Sequence, residues 1–432
     1  MRNPLPLFLT IALVGAMLLS GCVVESEPTP TPKPDTTPIL KVVPTLDRDV
    51  TPTKPSQKNL QGVVSLWHSF EGVDAEALEE TMTAFTEEYP RVGFKVTYVP
   101  PEEIYARLDE EIEPTGGGPD LIIAAGAYAP EWYAQELVQD VKPLPLEESF
   151  WETIDPLALS SVEHENLILG LPLTLHGMVL LRNTSIVPEA PAAWDDLVAA
   201  AQAATADDVA GARLDRGFIP SGGHLFGLGG SLMDDEDLPL FSDESGLAWM
   251  DLLTAYEDAD PNVTMNNQAE AIEAFAAGKV GLLIADSELI PQFEDALGAE
   301  NLAVDPWPTY GDGSLSGFVQ TNVVYMNWHA TYFRRTISWE FMSYLVGETA
   351  QTLFATNRHI PTRVGVDTEN PLLQDAAALI ADGAPLPVSP ELSVYVDELN
   401  GAIAGVFEDG EDPQAALDDA AAAIRSAITG LP

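Results

Sequence analysis

Apolar and polar positions alternate along the chain in two distinct periods. Gly62-Val63-Val64-Ser65-Leu66-Trp67-His68 is a short apolar run of strand type. In the stretch that begins near Asp74, Leu78, Met82, Phe85 and Tyr89 recur at one helical face. Pro90 and Gly93 end that helix, and Phe94–Val99 is again strand-like. A turn at Gly116–Pro119 leads into Asp120-Leu121-Ile122-Ile123-Ala124-Ala125, a third buried strand. The rhythm resumes with apolar runs at Leu167–Leu173 and Gly177–Asn183, a helix marked by Trp194, Leu197, Val198 and Ala201, and a helix carrying Ile272, Phe275 and Ala276. The last of these passes through Gly278-Lys279 into the strand Val280–Ala285. Asp412 and Pro413 suit the N-cap and first position of a closing helix through Ala416, Leu417, Ala420, Ile424 and Ile428. Strands separated by helices predict parallel βαβ units with helices on both faces. The reading is α/β, and Trp194 and Trp249, set in helical patterns, are expected in the core.

The N-terminus breaks this rhythm. Arg2 precedes an apolar run from Leu7 to Leu19, which is too short to span a hydrocarbon layer of about 30 Å as a helix. It ends in Leu19-Ser20-Gly21-Cys22, which resembles the bacterial lipobox. That resemblance implies a signal peptide over 1–21, cleavage before Cys22, and a diacylglyceryl group on its sulfur. Residues 23–60 hold eight prolines and seven threonines without an apolar period, so 22–60 is read as an extended, lipid-anchored tether.

The 432 residues carry 68 Asp+Glu against 19 Lys+Arg, a formal charge of −49. Such a surface repels phosphate backbones and anionic headgroups, which excludes nucleic-acid binding and basic-patch membrane docking. Cys22 is the sole cysteine, so neither an intrachain disulfide nor a thiolate metal site can form. About 400 mature residues exceed what one core usually serves, and two lobes are expected.

Catalytic motifs are missing. No P-loop, Gly-x-Gly-x-x-Gly or His-Glu-x-x-His string occurs, and Gly313-Ser314-Leu315-Ser316-Gly317 has leucine where a nucleophile elbow needs serine. The six histidines, at 68, 164, 176, 224, 329 and 359, form no ligand-like i, i+3 or i+4 pair. The expectation is no cofactor, no metal and no enzymatic activity.

From about 61 to 429 the chain resembles the extracellular solute-binding proteins of ABC importers, in the family that includes maltose-binding protein. The resemblance is carried in order by Val63–Phe70, Ala84–Pro90, Gly118–Ile122, Leu137–Leu144, Leu169–Asn183, Pro191–Leu197, Phe275–Gly281 and Pro361-Thr362-Arg363. In the fifth of these Arg182 replaces the commoner tyrosine. The resemblance implies a two-lobe clamp of the periplasmic-binding-protein type (class II), each lobe a βα sheet between helices. Lobe one would take 60–174 and 304–345, and lobe two 175–303 and 346–432, with hinge crossings near Pro172-Leu173 and Pro306.

Ligands of such sheets sit at the carboxyl ends of the strands. The strand ends of lobe one offer Trp67, His68, Ser69 and Glu71, then Gly126, Tyr128 and Trp132. Those of lobe two offer His224, Phe226, Asp286, Ser287 and Glu288, and Trp307 follows the second crossing. Asp286 and Ser287 align with the family's ligand-contacting glycine-proline-tryptophan segment, without its tryptophan. Aromatic faces pack on pyranose C–H faces and carboxylates accept from hydroxyls, so the expected ligand is an oligosaccharide. The alternatives are a cationic solute such as a polyamine, which would use the acids, and a surface-tethered glycoside hydrolase. The implied partners are the membrane subunits of an ABC importer, with the protein itself a monomer outside the cytoplasmic membrane.

Overall fold

The computed structural model describes residues 60–112, 117–144, 147–259, 263 and 267–430. The leader, Cys22 and the tether up to residue 59 lie outside the described residues. Ten strands join in one mixed sheet. At one end Gly62–His68 runs parallel to both Val92–Tyr98 and Leu121–Ala125. At the other end Ala210–Arg213 runs parallel to Val280–Asp286. These are the expected βαβ units. The centre differs, because the long strands Leu171–Asn183 and Phe318–Met326 run antiparallel to each other and to their other long neighbours.

Leu171–Asn183 is one strand of 13 residues, buried throughout, where two apolar runs were expected. His176-Gly177 interrupts the apolar pattern without interrupting the backbone ladder. The first half of the strand pairs with Phe318–Met326 through Leu171 to Gly177. The second half pairs with Val280–Asp286 through Met178 to Arg182 and with Leu302–Asp305 through Leu180 to Asn183. The change of partner falls at Gly177, where a Cβ would stand 2.6 Å from the Phe318 carbonyl oxygen. Only glycine lets the two central strands approach so closely there.

Side chains divide into separate cores around this crossing strand. One is built from Leu60 to Leu173 together with Val323 to Phe354, and includes Phe85, Trp132 and Phe341. A second draws on Met178 to Phe318 and on Ala384 to Ile424. Within it Trp194 stacks on Tyr256 at 5.1 Å, and Trp249 is fully buried, as their helical settings predict. A third group lies between the crossing strand and Pro371–Ala381, whose Leu373, Ala376 and Ile380 face it. Arg182 locks the crossing strand to Leu302–Asp305: its Nε and Nη2 donate to Asp305 at 2.6 and 2.9 Å, and Nη1 donates to the Val187 and Pro188 carbonyls. The closing helix Pro413–Thr429 starts as its sequence predicts, with Asp412 accepting from the Ala415 amide at 3.1 Å. Among the described residues no helix is long and apolar enough to cross a membrane.

Candidate functional site

Four strands of the sheet converge beside the middle of the crossing strand. Gly62–His68 ends there, and the helix Gly72–Glu88 that follows carries Asp74 in its first turn. Val280–Asp286 ends there too, with Asp286 opposite Met178. Phe318–Met326 contributes Asn322, opposite Thr174 and Ala125. The short strand Ile360–Pro361 pairs with Leu175 and Thr174, so the residue before it, His359, falls beside His176.

Each polar group in this cluster is held by the backbone around it. Asp286 caps the turn Ser287–Leu289, its Oδ1 accepting from the Glu288 amide at 2.9 Å, while Oδ2 lies 2.8 Å from His176 Nδ1. Ser287 is buried and its hydroxyl accepts from the Gly177 amide at 3.2 Å, tying the turn to the crossing strand. Glu288 Oε1 accepts from the Asn322 amide group, which also donates to Thr174 Oγ1 at 3.0 Å. Glu288 Oε2 stands 3.8 Å from His176 Nδ1, and Asp74 Oδ1 stands 3.3 Å from His359 Nε2.

The electrostatics are those of carboxylates crowded in a half-buried place. Burial lowers the basicity of His176, but Asp286, Glu288 and Asp74 outweigh it and raise its pKa to about 9. The imidazolium in turn holds Asp286 below the usual carboxylate range, against the effect of burial. Burial, with repulsion from Glu288 and Asp286, pushes Asp74 up to about 7. Glu288 is raised by burial and by Asp286, although His176 pulls the other way. His359 goes down to about 4, because burial outweighs its hydrogen bond to Val73.

The residues singled out by sequence divide between this region and the cores. Asp286, Ser287 and Glu288 are in the cluster. Ser69 is half-buried at the end of the first strand, and its hydroxyl has no hydrogen-bond partner among the described residues. Glu71 is exposed and accepts from the Tyr98 hydroxyl. His68 is buried, with Nδ1 accepting from the Phe70 amide at 3.2 Å, and burial lowers its pKa. Trp67 is packed in the first core with the Arg107 guanidinium 4.7 Å above its ring. Tyr128 is half-buried and stacks on Trp132 at 5.1 Å. Trp307 is half-buried, edge-on to His224 at 5.6 Å.

Two candidates require correction. Trp132 is fully buried between Tyr128 and Tyr325, with no ring face open to a ligand. His224 is fully buried as well, Nδ1 bonded to the Ser316 backbone and Nε2 2.8 Å from the Tyr256 hydroxyl. Both are core groups. Sequence reasoning missed His176, Asp74, Asn322 and His359. A signal existed for His176, a lone imidazole in an otherwise apolar run at the expected hinge. None existed for the other three, which come together only through strand pairing.

The profile of the bacterial extracellular solute-binding proteins matches residues 80–381. The chain belongs to that family. Solved structures with the same fold include the GacH receptor of Streptomyces glaucescens, determined without ligand and with acarbose, at 20% identity and a TM-score of 0.76 over 86% of this chain and 100% of that one. The maltose/maltodextrin-binding domain MalE of Bdellovibrio bacteriovorus, bound to maltotriose, has 18% identity and a TM-score of 0.74 over 85% and 100%. A solute-binding protein of Thermotoga lettingae, bound to α-D-tagatose, has 17% identity and a TM-score of 0.73 over 85% and 100%. The expected two-lobe clamp is therefore the fold of this solute-binding protein.

Proposed function

We propose that this solute-binding protein captures a carbohydrate, an oligosaccharide in the first instance, outside the cytoplasmic membrane and delivers it to the membrane subunits of an ABC importer. The observation that carries the reading is the set of hydrogen-bonding groups Asp286, Glu288 and Asn322 gathered beside the crossing strand, with Ser69, Tyr128 and Trp307 half-buried at other strand ends. Carboxylates and amides in that setting take paired hydrogen bonds from sugar hydroxyls, and ring faces take the apolar side of a pyranose. Sugars bound by the structural relatives support the same ligand class. We also propose that Cys22 anchors the protein by its lipid, that it works as a monomer without turnover chemistry, and that the lobes divide close to 174 and 304.

A calorimetric titration with maltotriose, acarbose and tagatose, preceded by a thermal-shift screen that adds amino acids and polyamines, tests the ligand class. A bound ligand raises the melting temperature by mass action. One or more sugars should bind saturably with no release of free monosaccharide. If only a non-sugar solute raises the melting temperature, the carbohydrate reading fails, and hydrolysis of a bound sugar by the pure protein ends the receptor reading.

A further inference from the structure

Three donor atoms of the cluster point at one another. His176 Nδ1, a carboxylate oxygen of Asp286 and a carboxylate oxygen of Glu288 all lie within 4.8 Å of one another. The other oxygens of the two acids are engaged, Asp286 Oδ1 by the Glu288 amide and Glu288 Oε1 by Asn322. That leaves Asp286 Oδ2 and Glu288 Oε2 turned toward the imidazole, at 2.8 and 3.8 Å. Backbone and amide groups that orient carboxylates from behind are what metal-ligating carboxylates use to hold their geometry.

Charge balance points the same way. Asp74, Asp286 and Glu288 bring three carboxylates to one place, where they face the imidazoles of His176 and His359. The side chain of His176 is only 8% exposed and that of His359 only 5%. His359 Nε2 faces Asp74 Oδ1 at 3.3 Å without forming a hydrogen bond of good geometry. A dication among Asp74, Asp286 and Glu288 would answer the excess of negative charge.

We propose that His176, Asp286 and Glu288 form a divalent transition-metal site of the zinc class, with Asp74 and His359 at its edge. One imidazole and two or three carboxylates suit zinc, cobalt or manganese better than calcium, which takes oxygen ligands alone. Ligand distances of about 2.0–2.2 Å set neighbouring ligand atoms about 3–3.5 Å apart, so Asp286 must draw back slightly from His176, Glu288 must close in, and the proton on His176 Nδ1 must leave. The site shares Asp286 and Glu288 with the carbohydrate reading but is argued and tested without any sugar.

The test uses the full chain in detergent, stripped with EDTA and dialysed, in buffer with sodium chloride and excess magnesium to suppress surface carboxylates. Cobalt(II) is titrated while the visible d–d spectrum is followed, and zinc is then added to displace it. One equivalent of cobalt should bind and give bands of imidazole-ligated, low-symmetry metal. Asp286→Asn and Glu288→Gln should each weaken that binding by roughly 100-fold or more, the upper end of what even supporting residues cost. Glu110→Gln, on an exposed helix face, should leave it unchanged. X-ray absorption on the zinc-loaded wild-type chain keeps the proposal falsifiable if a variant fails to fold, and one imidazole with oxygen neighbours is the expected shell. Binding that disappears in magnesium, survives both substitutions, or shows no imidazole scattering would overturn the site. No sugar enters these measurements, so failure of the carbohydrate reading leaves their outcome untouched.

Discussion

Replacing Asp305 by alanine should cost more than any hydrogen bond in the sheet, because of what remains behind. The Arg182 side chain is 10% exposed and that of Asp305 is 4%. Asp305 receives two charge-assisted bonds, at 2.6 and 2.9 Å, while Nη1 keeps its two carbonyl partners at 3.0 and 2.9 Å. Asp305→Ala therefore strands a guanidinium charge in a dry place with half its partners, a change worth about 3–5 kcal/mol. With an unfolding entropy near 2.1 cal/mol/K per residue, that shifts the melting temperature by about 4–6 °C if the lobes unfold together and about 8–13 °C if they unfold apart. The double change Arg182→Met with Asp305→Leu removes both charges and leaves the shape nearly filled, so most of the loss should return. Scanning calorimetry on the three proteins, at one pH and one salt concentration, measures this. A loss below about 1 kcal/mol for Asp305→Ala, or a double variant no better than the single, would refute the account. It would mean that the pair is solvated and that the departure at Arg182 is a surface matter.

Burial holds His224 neutral, with its pKa down to about 4 from an ordinary 6.5. The groups it touches, the Ser316 backbone, Tyr256 and Trp307, carry no compensating charge. An unfolded chain takes up the proton that the folded one refuses. Its neutral burial thus costs nothing above pH 6.5, and stability is lost as pH falls toward 4, by at most roughly 3 kcal/mol. His224→Gln should flatten the fall of chemical-denaturation stability across that window, and an equal slope in both proteins would contradict the assignment. Gly177→Ala should destabilise by several kcal/mol or shift the central register, since its Cβ meets backbone rather than a movable side chain; a melting temperature within 1–2 °C of wild type, roughly the effect of a neutral surface change, would count against the close approach. The −49 charge predicts a melting temperature that rises from low to moderate sodium chloride as repulsion is screened, and a fall over that range would go against it.

Sequence alone determined the parts of this protein that local physics controls. The periods of Val63–Trp67, Leu78–Tyr89 and Val280–Ala285 set strand, helix and strand, because burying one face needs that spacing whatever the partners are. Asp412 and Pro413 set a helix start for the same local reason. The order of motifs was enough to point to the solute-binding family, and the acids of Asp286–Glu288 were legible as a strand end. Tertiary structure alone decided the rest. Whether Trp132 and His224 face solvent depends on Tyr325 and Tyr256, which lie far away in the chain and cover them. Whether Leu167–Asn183 is two strands or one crossing strand depends on partners contributed by residues 280–326. The polar cluster is the plainest case. His176 meets Asp286 across 110 residues, and Asn322 meets Thr174 across 148. No local spacing encodes such a meeting, because antiparallel register, not sequence distance, sets which side chains share a face.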